Sequence, residues 1–449
     1  MADLQSRESH ARESQARELQ ARVVRKLTWR ILPFVMLLYF VSFLDRVNVG
    51  FAALSMNKAI GLTPTLFGLG GGIFFLGYFL CEVPSNLILN KVGARIWIAR
   101  VMITWGLVSA ASAFVTGPTS FYVMRFLLGV AEAGFFPGII LYLTQWFPAR
   151  QRAVAAAAFM AAAPLSSALG SPISGALMEL PMMGGLANWQ WLFVIEAVPA
   201  VLLGFAVLKV LIDKPEQAPW LAPDERDWLL GTLREESRER GRHAGHTAGA
   251  WRALADPRVL VMAMIYFGTS AGLYTLGLWA PQIIRQFGFS AFGTGMLNAI
   301  PNGLAVLGMV LWARHSDRKE ERAWHVIIPC VAAGLGLAFA GMAQTVVEVV
   351  LALIIVNVGI SAAKAPLWAM PASFLSGAGA AAGIAMINSV GNLGGFVGPF
   401  VIGWLKQLTG GYAAGLYVVA AFVTLFAVLT LAMNRRSGRA AATITGSRL

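Results

Sequence analysis

Four side chains of opposite sign set the chemical question. Asp45 and Arg46 stand side by side in "YFVSFLDRVNVGF" (39–51), and Arg125 precedes Glu132 by seven residues in "RFLLGVAEAGFF", both inside long apolar runs. An ionised group at the centre of a bilayer costs about 2.5 to 3.5 kcal/mol on insertion scales, so such groups need a reason to be there. Seven residues are close to two helical turns, which projects Arg125 and Glu132 from one face roughly 10 Å apart, with Gly129 leaving space between them. Arginine keeps its proton and grips a carboxylate through two parallel N–H···O bonds, so Arg46 and Arg125 are natural anchors for an anion. A carboxyl in a low-dielectric site beside an arginine can exchange a proton, and protonating Asp45 or Glu132 would release an arginine to the anion. Anion and proton would then enter together. Mutual neutralisation that merely locks helices is the competing reading, but buried ion pairs are poor sources of stability.

Lesser candidates lie in the second half. Lys364 has Trp368 one turn later on the same face, with Pro366 and Pro371 bending the helix; it reads either as a ligand or as a snorkelling cation. Asn388 and Asn392 share a face and can bond a neighbouring helix or a substrate's hydroxyl and carboxylate groups. Tyr78 can present a phenol to the same chamber or serve in packing. Glu82 and Glu196 are further intramembrane acids to which no role is assigned.

These residues need a scaffold, and composition specifies its class. Of 449 residues 57% are hydrophobic and only 13% charged, about half the charge of a soluble protein. Twelve apolar segments are long enough to cross a bilayer: 28–54, 64–91, 95–116, 118–147, 152–178, 189–212, 257–287, 291–314, 324–343, 346–374, 381–408 and 411–433. All but six of the 35 Lys and Arg fall in the two termini, the even-numbered connections and adjoining helix ends, which predicts a multi-pass protein of the cell membrane with both termini cytoplasmic, in a bacterium the inner membrane. The same bias accounts for the net charge of +13, so nucleic acid is not an expected partner. No cleavable signal peptide is expected. The repeat "RESHA RESQA RELQA" reads as a solvated helix or frayed tail, and Cys81 and Cys330 as free, buried thiols.

The halves match at constant offset. "GLTPTLFG" begins at 61 and "GFSAFGTG" at 288, 227 residues later; the same displacement carries "NKVGARIW" onto "DRKEERAW", Phe147 onto Phe374 and Pro172 onto Pro399. The reading is therefore an all-α integral membrane protein of twelve transmembrane helices in two pseudo-symmetric six-helix bundles: a cytoplasmic tail 1–26, a first bundle 27–212, a cytoplasmic connector 213–256, a second bundle 257–433 and a tail 434–449. Parallel repeats of this kind rock around a site near the midplane. Gly68, Gly70, Gly71 and Gly72, and the spacings Gly391/Gly395 and Gly394/Gly398, read as helix-packing faces rather than phosphate loops.

"LDRVNVGFA", "GIFFLGYFLCEVPSNLIL", "RFLLGVAEAGFFPGIILYLTQWFPARQR" and "INSVGNLGGFVGP" resemble the anion:cation symporter family of the major facilitator superfamily, and "RHSDRKEERAWH" resembles its tartrate and phthalate permease branch. The likeness runs from about Lys26 to Met433. It implies the major facilitator fold, proton coupling at Asp45 and Glu132, and substrate binding at Arg46 and Arg125, with Asn392 favoured over Asn388. The superfamily's loop motif Gly-x-x-x-Asp-Arg-x-Gly-Arg is altered: Asn86 and Asn90 stand for Gly and Asp in the first copy, Ala313 and Glu320 for both glycines in the second. Asp317 and Arg322 survive, which places a charge latch for gating in the second half.

An enzyme is not expected, since all five histidines fall in tails, connectors or a helix end and can build neither a zinc site nor a Ser–His pair among the spans. No cofactor or metal is expected beyond the coupling proton. The alternatives are a nutrient sensor on a transporter fold and a proton-coupled exporter. Two buried arginines favour an organic anion: a hydroxy-dicarboxylate such as tartrate, a sugar acid or an aromatic carboxylate. A monomer is expected.

Overall fold

The computed structural model describes residues 2–243, 254–371, 375 and 377–428. The chain is helical almost throughout. Seven helices form the first half: α1 Ala2–Ala59, α2 Pro64–Val92, α3 Ala94–Ala111, α4 Pro118–Glu132, α5 Phe135–Trp146, α6 Ala149–Leu177 and α7 Asn188–Val210. After α8, Pro223–His243, come α9 Pro257–Arg285, α10 Ala291–Lys319, α11 Ala323–Met342, α12 Val346–Ala369 and α13 Gly377–Thr409, then the shorter apolar α14, Ala413–Val428. Among the described residues eleven spans are long and apolar enough to cross a bilayer, α4 and α5 counting as one, and α14 makes the twelfth. Phe374, residues 429–433 of the second bundle, the tail 434–449 and part of the connector lie outside the described residues.

The 227-residue offset recurs in the backbone. Thr63 caps α2 by accepting from the Leu66 N–H, and Ser290, its equivalent, caps α10 by accepting from Gly293. Gly93 and Glu320, again equivalent, both take positive φ, 97° and 51°. Glutamate thus occupies a left-handed turn that favours glycine, although its ψ of 24° differs from the 153° of Gly93, so the two copies share the positive φ and not the full conformation.

Helix α2 lies along α13, α6 along α10, and α1 crosses α9. Exchanging the halves maps the first two of these interfaces onto each other. The contacts obey the same rule: a side chain at Gly68 would strike the carbonyl of Pro399, and one at Gly295 the carbonyl of Ser171 and the backbone of Pro172. Gly50 meets the carbonyl of Gly277 close to the pseudo-twofold axis. All these contacts seal the end at which α1 finishes.

At the opposite end α1 continues unbroken through the charged repeat, which is helix rather than frayed tail. It docks on α8: Arg22 pairs with Asp224 at 2.6 Å and Glu225 at 3.0 Å, and Lys26 pairs with Glu225 at 2.7 Å. Burial alone would push the Glu225 carboxyl up, but hydrogen bonds from Lys26 and the Ala222 N–H, with the charges of Lys26 and Arg22, outweigh it and hold the group below the usual glutamate range. A lowered folded-state value stabilises docking above the ordinary range near about pH 4, and that stability is lost as pH falls through the lowered value. Glu225→Gln should mimic the acid state at neutral pH and speed tryptic cleavage at Arg17, Arg22 and Lys26 several-fold. An unchanged cleavage rate would show the docking to be held by other contacts.

Candidate functional site

Helix α1 presents Ser42 and Arg46 one turn apart. Arg46 Nε donates to Glu132 Oε1 at 2.6 Å, Ser42 Oγ donates to the same oxygen at 2.7 Å, and Arg46 NH1 donates to the Tyr274 hydroxyl at 3.1 Å. The guanidinium lies 5.6 Å from the Phe74 ring and 5.2 Å from the Tyr78 ring. Arg125 sits 5.1 Å from the same Phe74 ring. It is 4% exposed, and among the described residues it makes no hydrogen bond or ion pair, its Nε being fully buried. Two guanidinium groups therefore flank one phenyl ring, one of them paired with Glu132 and the other without a direct ion pair. A buried cation without a direct ion pair is costly.

Close backbone approach assembles the cluster. A side chain at Gly129 would strike the carbonyl of Phe74, so the gap expected between Arg125 and Glu132 is filled by the α2 backbone, which brings Phe74 against both arginines and Tyr78 against Arg46. Helix α4 stops at Glu132 because Gly134 adopts φ 87°, and Ser85 Oγ on α2 donates to the freed carbonyl of Ala133 at 2.7 Å. The break gives Glu132 a fixed position at the end of a helix.

Asp45 does not join this cluster. Consecutive helical residues point about 100° apart, and Asp45 faces α3, where it accepts from Trp105 Nε1 at 2.8 Å, Ser109 Oγ at 3.0 Å and Asn48 Nδ2 at 3.3 Å. The shared chamber expected for two acids and two arginines holds Arg46, Arg125 and Glu132 only. Glu196 belongs with Asp45: it accepts from Ser174 at 2.6 Å, and Asn48 lies within hydrogen-bonding reach of both acids.

The remaining candidates divide. Asn388 donates across the bundle interface to Glu82, so of the two asparagines it is the one that bonds a neighbouring helix. Asn392 is 8% exposed and has no hydrogen bond among the described residues. Tyr78 offers Arg46 its ring face. Lys364 is half-buried and makes no ion pair among the described residues, while Trp368 packs edge-on against Tyr266 with centroids 5.1 Å apart. Arg322 pairs with Asp317 at 2.7 Å and also donates to Ser316, so this latch closes within one loop of the second half.

Ser42, Phe74, Trp105, Ser109 and Tyr274 were not singled out in the sequence. Ser42 was within reach, being four residues before Arg46 and hence on its face. Tyr274 is the 227-residue equivalent of Val47, so the repeat itself places it opposite Arg46 across the axis.

The model of the Major Facilitator Superfamily matches residues 35–399. This chain belongs to that superfamily. A protein of Agrobacterium vitis named "Putative tartrate transporter" is 64% identical over 425 residues, covering 95% of this chain and 94% of its own length. The "Quinolone resistance transporter" of Acinetobacter baumannii is 42% identical over 411 residues, covering 91% and 94%. Among solved structures, the xylose transporter XylE from E. coli, partially occluded and inward open, superposes with a TM-score of 0.72 at 14% identity, covering 90% of this chain and 97% of that one. The chain is thus a multi-pass transport protein for a small molecule, resembling the tartrate permease branch, and not an enzyme.

Proposed function

We propose that this transporter imports a small organic anion together with protons by alternating access, as a monomer in a bacterial inner membrane with both termini cytoplasmic. The observation that carries the reading is Arg125, buried and unpartnered beside an Arg46 that Glu132 holds. Protonating Glu132 frees Arg46 and leaves two unmatched guanidinium groups, a site suited to a carboxylate and above all to a dicarboxylate. By the distribution of Lys and Arg, the sealed end near Gly50 and Gly277 is the outer one, and its parting would admit the anion. Asp45, in its own nest of donors, is the second proton site of this reading. The Agrobacterium relative's name supports a hydroxy-dicarboxylate such as tartrate.

The test is uptake into proteoliposomes. With acid outside and neutral buffer inside, labelled L-tartrate should accumulate above its external concentration, and a protonophore should abolish the accumulation. Uptake that only equilibrates removes the coupling; no uptake of tartrate, sugar acids or phthalate removes the anion reading. The Acinetobacter relative's name, a resistance transporter, favours a second reading, outward movement. Everted vesicles that accumulate the anion would select it.

A further inference from the structure

Beside the arginine cluster lies a second polar enclosure that the charges do not explain. A cavity of about 20 Å³ is lined by Phe43, Val47 and Ser171 of the first half and by Tyr274, Asn298, Asn302 and Asn357 of the second, among others. Tyr274 joins the two places, lining the cavity while its hydroxyl accepts from Arg46.

The three amides share one feature. Asn298 Nδ2 donates to Ser171 Oγ at 2.9 Å, Asn302 Nδ2 to the Asn298 carbonyl at 2.8 Å, and Asn357 Nδ2 to the Leu353 carbonyl at 2.9 Å. Each amide nitrogen is engaged, and among the described residues none of the three side-chain Oδ1 atoms accepts a hydrogen bond; the residues are only 9%, 9% and 6% exposed, yet these oxygens stay open to a water-sized group. Three open acceptors on residues that line one small cavity suit a guest that donates. A carboxylate cannot be that guest, because it is itself only an acceptor. The volume admits one water-sized group, which a hydroxyl matches.

We infer that Asn298, Asn302 and Asn357 form a subsite that reads a hydroxyl group of the carried anion, making hydroxylated carboxylates its substrates in preference to their deoxy counterparts. The inference rests on the carboxylate reading above and deepens it: the arginines fix the charge, and the amides sort by hydroxylation. In the absence of substrate a water occupies the same acceptors and is displaced on binding.

Competition by L-tartrate and by succinate, which differ in two hydroxyls, tests this in the full-length reconstituted protein. The native protein should bind L-tartrate about tenfold more tightly than succinate, the size of one or two neutral hydrogen bonds. In Asn357→Leu, whose amide bonds only its own helix, tartrate affinity should fall toward the succinate value while succinate affinity holds. Asn302→Leu, equally confined to its own helix, provides the same measurement should the first variant misfold. Equal binding of the two acids by the native protein, or an unaltered ratio in a folded variant, overturns the subsite and leaves the carboxylate reading standing. Binding of neither acid overturns both.

Discussion

Arg125→Met should lower anion uptake by a factor of about a hundred or more while raising the melting temperature of the purified protein. The two halves of this result have one cause. Two charge-assisted hydrogen bonds to a bound carboxylate are together worth about 3 to 5 kcal/mol, and each 1.4 kcal/mol is roughly tenfold in affinity. In the empty protein the same guanidinium is buried with no direct ion pair or hydrogen bond among the described residues, so an apolar side chain of similar length relieves a desolvation cost. Arg125→Lys keeps the charge but loses the planar fork, and its uptake should fall nearly as far without the gain in stability. Arg46→Met is the contrast: it leaves Glu132 buried without its cation, and removing one partner of such a pair costs about 3 to 5 kcal/mol. Uptake and melting temperature should fall together. A drop in melting temperature for Arg125→Met would show that Arg125 has a counter-charge in the empty protein and would remove the main support for the anion site.

What the sequence disclosed follows from which signals survive in one dimension. Period and offset did: the 227-residue repeat makes Thr63 and Ser290 equivalent, and both prove to be caps, while the equivalent Gly68 and Gly295 both pack against backbone of the other half around Pro399 and Pro172. Charge in an apolar run did too, and Arg46, Arg125 and Glu132 converge. Adjacency misled at Asp45, because neighbours in sequence diverge around a helix, and the partners that draw it to α3, Trp105 and Ser109, are ordinary residues of an apolar span. For Asn388 and Asn392 a shared face left the roles open, and Glu82, which had no assignable role, turns out to be what separates them. At Glu320 the motif's glycine is lost and only the positive φ is shared with Gly93, a backbone detail that the sequence does not announce.

Glu132→Gln should separate transport from coupling. The amide is nearly isosteric, and its oxygen can still accept from Arg46 Nε and Ser42 Oγ, so the cluster should assemble as in the native protein. What disappears is the carboxylate that competes with the substrate for Arg46. In the native protein that competition ties anion binding to the proton on this carboxyl; in the variant the tie is gone. Exchange of labelled for unlabelled anion should therefore continue, because it needs only a loaded site, while accumulation driven by a proton gradient should be lost. Asp45→Asn supplies the control within the same reading. Asp45 touches neither arginine, so the variant should lose accumulation while leaving the Arg46–Glu132 pair and anion binding as in the native protein. Full proton-driven accumulation by Glu132→Gln would mean that Arg46 is released by something other than this carboxyl, and with that the link between the proton and the anion would have to run through Asp45 alone.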